Sequence, residues 1–158
     1  MKNLEFTRID DRLIHGQVVA AWLRTYSNVK EILVVDDKTA ADPFMHEMFR
    51  LLVPNDVSIS IQTVDEAAET LKKELPKPTM IIVKLPLTII QLMEKGIEFT
   101  DINIGGMGMS GTRKKLFQNV SSTEEENEMI KSMMAQGVNV EIQIIPAAKS
   151  INLKNILK

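Results

Sequence analysis

One of the two histidines in this chain stands in a run of groups suited to phosphoryl chemistry, Arg8-Ile9-Asp10-Asp11-Arg12-Leu13-Ile14-His15-Gly16-Gln17. An imidazole with an ordinary pKa of about 6.5 is largely neutral at pH 7, so one ring nitrogen keeps a lone pair and can act as a nucleophile. Arg8 and Arg12 carry planar, forked guanidinium groups that match the several oxygens of a phosphoryl group. An aspartate can hold the second ring nitrogen and fix the tautomer. Gly16 lets a bulky group approach the backbone, and with Gln17 it opens a helix whose first N–H groups favour an anion. These residue types point to a phosphohistidine. The spacing alone also permits a turn histidine among structural ion pairs. His46, between Met45 and Glu47 with no arginine before Arg50, reads as a surface or packing residue.

Positioning such a loop requires a scaffold, and the periodicity supplies one. Leu4–Ile9 alternates apolar with polar and reads as a strand. Gly16 to Tyr26 reads as a helix with Val18, Val19, Trp22 and Leu23 on one face. Glu31–Asp36 and Met80–Lys84 are short, β-branched, nearly continuous apolar runs of the kind buried on both faces of a sheet. Asp42-Pro43 caps and opens a helix to Leu52. Val57–Gln62 is strand-like, and Thr63 with Glu66 has capping-box spacing for another helix. Pro86 to Lys95 reads as a helix closed by Gly96. Asp101–Ile104 is a strand entering a glycine-rich loop. Ser122 with Glu125 has capping-box spacing for a helix ending at Gly137, and Val138–Ile145 is a last strand halted by Pro146. Alternating strands and helices predict an α/β fold: a single-domain open, mostly parallel sheet over 1–158 with helices on both faces, a three-layer α/β/α arrangement. Ligands of such sheets bind outside the carboxyl ends of the strands, where the His15 loop lies.

Two other constellations compete for attention. Gly106-Met107-Gly108-Met109-Ser110-Gly111 matches G-x-G-x-x-G after a strand. A dinucleotide site also needs a helix opening from the last glycine and an acid after the next strand, and Thr112–Ser121 lacks a helical apolar face. The segment reads instead as a flexible loop beside His15, with Met107 and Met109 either adaptable contacts for partners or simple packing, and Arg113 either a phosphate contact or solvated. Asp10, Asp11, Asp36, Asp37 and Lys84 sustain an alternative reading, a magnesium-dependent aspartyl-phosphate receiver-like regulatory domain. That reading leaves Arg12, His15 and Gly16 without a role. A regulatory module with no covalent chemistry is a third possibility. Chemical lability separates the first two, since phosphohistidine is lost in acid and an acyl phosphate is cleaved by hydroxylamine.

Composition narrows the class. Nineteen basic against 21 acidic residues among 158 give a net charge of −2, with no basic excess of the kind a nucleic-acid binder carries. The absence of cysteine excludes disulfides and thiolate chemistry and fits a cytoplasmic address. The first residues hold no apolar signal segment, and no apolar run approaches the roughly 20 residues that span a bilayer.

RIDDRLIHGQV, followed by Trp22 and LVVDD, resembles the IIB component of the mannose/fructose/sorbose family of the bacterial phosphoenolpyruvate-dependent sugar phosphotransferase system. The resemblance continues through VKLP at 83–86, NIGGM at 103–107 and the GV-strand-Pro ending at 137–146. It implies that His15 accepts a phosphoryl group, at Nδ1, from the phosphohistidine of a IIA protein or domain. The group then passes to a sugar carried by membrane-embedded IIC and IID components, with no cofactor or metal. It also implies that Arg12 holds the transferring group, that the chain works at the inner face of the membrane through partners, and that no nucleic acid is involved. Arg8 and the backbone at Gly16-Gln17 are expected to assist, and Asp10 to orient His15 or its arginines, with Asp11 the alternative. The sugar and any homo-oligomer stay open. The family often carries an acid after the last proline, where this chain has Ala147 and Ala148.

Overall fold

In the computed structural model, which describes residues 1–157, strands and helices alternate from the start. They are β1 (Leu4–Asp10), α1 (Gly16–Thr25), β2 (Glu31–Val35), α2 (Asp37–Ala40), α3 (Pro43–Leu52), β3 (Ser58–Gln62), α4 (Val64–Lys72), β4 (Thr79–Val83), α5 (Pro86–Glu94) and β5 (Asp101–Gly106). A hairpin of β6 (Lys114–Phe117) and β7 (Val120–Ser122) precedes α6 (Glu124–Ala135), β8 (Asn139–Ile142) and β9 (Ile151–Asn152). Seven strands form one sheet in the order β3-β2-β4-β1-β5-β8-β9, parallel except for β9, which runs antiparallel to β8. The expected mostly parallel sheet with helices on both faces is present.

The central strands are apolar throughout because both faces are covered. Ile9, Leu33, Ile81, Ile104 and Ile142 pack under α4, α5 and α6 on one side. Ile32, Val34, Met80 and Ile82 pack under α1 and α3 on the other, with Leu13 and Ile14 of the His15 loop inserted among them. Asp42 caps α3 by accepting from the Phe44 N–H, as its sequence implies. Thr63 and Glu66 form a reciprocal capping box on α4.

Two local expectations are corrected. The cap of α6 is Thr123 with Glu126, one residue later than Ser122 with Glu125. Both pairs have the right spacing, but Ser122 is drawn into β7 and its hydroxyl bonds Asn127. After the glycine-rich stretch, the segment without a helical face forms the β6–β7 hairpin. The last parallel strand stops at Ile142 rather than Ile145, and the chain returns as β9 against it.

Chain direction decides where a site can form. After β1 the chain crosses toward β2, and after β5 it crosses the opposite way toward β8, so a crevice opens between the carboxyl ends of β1 and β5. The His15 loop leaves β1 at that point.

Candidate phosphoryl-transfer site

Asp10, the last residue of β1, is the hub. Its side chain is 1% exposed. Its Oδ2 lies 3.1 Å from Nη2 of Arg8 and 3.1 Å from Nε2 of His15. Its Oδ1 accepts from the Arg12 backbone N–H at 3.0 Å and stands 3.5 Å from Nε of Arg12. Asp10, and not Asp11, is the acid in contact with His15. Asp11 points the other way, its Oδ2 accepting from the Gly108 N–H and from Nη1 of Arg113.

The loop between Asp10 and His15 is held by its own apolar residues. Leu13 turns back with φ of 56°, its N–H donating to the Asp10 carbonyl, and buries its side chain with Ile14. A leucine in this left-handed region is strained, and its burial is what holds it there. His15 then adopts extended backbone as the N-cap of α1, and its side chain makes no capping bond. The first helical bond runs from the Val19 N–H to the His15 carbonyl. The N–H groups of Gly16, Gln17 and Val18 therefore have no partner within the helix and present partial positive charge beside the imidazole. The His15 side chain is 24% exposed and the Arg12 side chain 56% exposed, so both reach solvent at the carboxyl edge. A Cβ on Gly16 would meet no described atom within 4 Å, so the fold itself does not require glycine there.

Arg8 does not join that surface, contrary to expectation. It is 3% exposed, with Nη1 donating to Asn103 and to the Gln143 carbonyl and Nη2 donating to Asp10 and to the Ile144 carbonyl. Its guanidinium lies 5.3 Å from the centre of the Trp22 ring. Burial pulls its pKa down, opposed by the adjacent Asp10 carboxylate. The reason is positional: a mid-strand residue points into the sheet face under α1, whereas a loop residue is free to face solvent.

Gly105 and Gly106 have a different role from the one their motif invites. The register between β1 and β5 slips by one residue at Gly105. A Cβ on Gly105 would overlap the Arg8 guanidinium, and one on Gly106 would come within 2.9 Å of Asp10 Oδ1. These glycines admit the buried ion pair. Met107 is wholly buried, so its partner-contact reading falls, while Met109 is exposed. Arg113 is not solvated: its side chain is buried and bound to Asp11 and Glu126. Asp36 caps α2 through the Thr39 N–H and hydroxyl, and Asp37 accepts from the Val64 N–H, so these two acids of the receiver reading are engaged in local bonds. His46 bonds the Ala40 carbonyl through Nε2. A groove of about 220 Å³ along the amino half of β1, walled by Phe6, Tyr26, Asp101 and Glu141, lies away from His15.

Sequence reasoning missed the bracing residues Asn103 and Gln143. The NIGG signal contained Asn103, but nothing in one sequence ties position 103 to position 8.

The chain is 28% identical to the fructose-specific EIIB component of Bacillus subtilis, with 100% of this chain and 98% of that protein aligned. It is 28% identical to the mannose-specific EIIAB component of Escherichia coli, where 95% of this chain spans 47% of that protein, about half its length. Among solved structures, manxB of Thermoanaerobacter tengcongensis superposes with a TM-score of 0.89 at 31% identity, covering 97% of this chain and 93% of that one. The family model for the sorbose-subfamily IIB component of the phosphotransferase system matches residues 4–158, and the chain belongs to that family.

Proposed function

We propose that the chain is a phosphocarrier in which His15 takes a phosphoryl group from a IIA phosphohistidine and passes it to a sugar entering through membrane IIC and IID components. One observation carries the proposal: Asp10 occupies Nε2 of His15, leaving Nδ1 without a partner among the described residues, at an open helix N-terminus beside Arg12. A carboxylate only accepts, so this contact places the proton on Nε2 and the lone pair on Nδ1. That lone pair attacks phosphorus as the bond to the IIA imidazole breaks, and the departing electron pair returns to the IIA ring. The His15 ring becomes cationic while keeping its Nε2 proton, and Asp10 offsets the charge. Arg12 and the N–H groups of Gly16 and Gln17 face the equatorial oxygens, where the negative charge of the transition state resides. In onward transfer a sugar hydroxyl oxygen bonds phosphorus as the bond to Nδ1 breaks; the electron pair returns to the His15 ring, which becomes neutral again, and the hydroxyl proton leaves to solvent. Family membership and the fused EIIAB relative support the choice of a IIA partner.

The test is intact-protein mass after incubation with phosphoenolpyruvate, the general phosphotransfer proteins and a IIA protein. The parent and His46→Ala gain one acid-labile phosphoryl group, and His15→Ala gains none. Acid-labile phosphate on His15→Ala would overturn the assignment.

A further inference from the structure

Arg113 lies almost a hundred residues from the His15 loop in sequence, yet it ties that loop to two other segments. Its Nη1 donates to Asp11 Oδ2 and to the Gly108 carbonyl, each at 2.9 Å. Its Nε and Nη2 grip Glu126 as a two-bond fork, both at 2.9 Å. Glu126 is itself fixed, since its Oε1 accepts from the Thr123 N–H in the capping box of α6. Asp11 is fixed from the other direction: its N–H donates to the Gly106 carbonyl, and its Oδ2 accepts from the Gly108 N–H at 2.6 Å. Its Oδ1 has no partner among the described residues, where the side chain's attachment runs through one oxygen shared by Gly108 and Arg113. The Arg113 side chain is almost fully buried, and the two carboxylates hold its guanidinium more firmly protonated than usual.

We propose that Arg113 is a positioning residue for phosphoryl transfer, locking the 107–113 loop to Asp11 and thereby fixing the backbone that carries Asp10 and His15. The proposal rests on His15 being the phosphoryl acceptor and adds a residue that touches neither the ring nor the phosphoryl group. The connection is short. Asp11 follows Asp10 directly, and Gly106, to whose carbonyl Asp11 donates, lies against the Asp10 carboxylate. Freeing Arg113 releases Asp11 Oδ2 from its only side-chain partner and leaves the Gly108 carbonyl without its donor. Displacement of the attacking nitrogen by even about 1 Å can slow a positioned reaction a hundredfold. A lysine at 113 keeps the charge but cannot span Asp11, Gly108 and Glu126 together.

The experiment compares Arg113→Gln, Arg113→Lys and the milder Glu126→Gln with the parent. Glutamine at 126 still serves the capping box, so that variant weakens only the fork and keeps the test available if an Arg113 variant folds poorly. Two readouts are taken on folded protein. Amide hydrogen exchange reports residues 10–15 and 106–113 without any phosphoryl donor. Single-turnover transfer from phosphorylated IIA, measured over a range of IIA concentrations, gives a saturating rate and a half-saturating concentration. Arg113→Gln should exchange faster in both segments and show a saturating rate lower by roughly ten- to a hundredfold at unchanged half-saturation. Arg113→Lys and Glu126→Gln should fall between it and the parent. A folded Arg113→Gln with parental exchange or parental rate would overturn the proposal, as would a loss confined to half-saturation, which assigns Arg113 to partner docking. A parent that takes no phosphoryl group on His15 overturns the functional reading and this inference with it. A parent that works beside unaffected variants overturns this inference alone.

Discussion

Asp10 meets His15 through Nε2 at 3.1 Å, and the same carboxylate oxygen meets the buried Arg8 guanidinium at 3.1 Å. One acid thereby contacts both an imidazole at the surface and a cation in the interior. Asp10→Asn should fail at both tasks. Breaking a buried pair by removing one partner costs roughly 3–5 kcal/mol, so thermal melts should show a large drop in Tm. In whatever fraction stays folded, phosphoryl uptake should be slowed, because an amide can present its NH2 group to the ring and no longer specifies the Nε2 proton. Uptake at the parental rate would remove Asp10 from the mechanism.

Arg12 separates activity from stability. Its side chain is more than half exposed and only 3.5 Å from its nearest acidic partner. Arg12→Lys should leave stability within about 0.5 kcal/mol and slow transfer from phosphorylated IIA, since an ammonium lacks the forked donors. Quench-flow rates equal to the parent's would exclude Arg12 from contact with the phosphoryl group.

Gly105→Ala tests the interior directly. The added methyl would overlap the Arg8 guanidinium, which is held by Asn103, Asp10 and two carbonyls. Overpacking joined to a broken buried pair should cost at least about 3 kcal/mol. Chemical denaturation of Gly105→Ala and of Gly16→Ala makes the comparison, because a Cβ on Gly16 meets nothing.

Glu31 gives a pH-dependent outcome. Burial pushes its carboxyl pKa up, opposed by Lys77. An acid whose pKa is raised by folding favours the native state below its unfolded pKa, and that contribution is lost as pH rises through the folded value. Glu31→Gln should therefore be more stable than the parent at neutral pH, with the difference shrinking as pH falls through the raised folded value and gone below the ordinary glutamate pKa of about 4.3. Paired thermal melts at pH 7 and at the acid end measure it.

The parallel sheet was legible because β2 and β4 are apolar runs too short for helices, and because Thr63/Glu66 and Asp42-Pro43 announce helix starts in local chemistry. The His15 loop was legible for the same reason, since its groups are neighbours in the chain. Arg8 was misplaced because the sequence shows that it stands near His15 but not that a strand turns it inward. Asn103, Gln143, Arg113 and Glu126 act through partners 13 to 135 positions away, and no periodicity encodes such pairings. The α6 cap was misjudged by one residue because Ser-Ser-Thr-Glu-Glu-Glu offers overlapping boxes, and the β7 pairing chooses between them.

The uncapped amino end of α1 bears on the group-transfer potential of the cargo. Whatever free energy an anion gains there is subtracted from the free energy available for handing it on. A solvated helix terminus is worth about 0.3–1 kcal/mol to a negative charge, which shifts a transfer equilibrium by only two- to fivefold or so. With no acid in the first turn and no side-chain cap competing, a phosphoryl group on His15, as proposed, would be held firmly enough to be ordered and loosely enough for the next acceptor to take it.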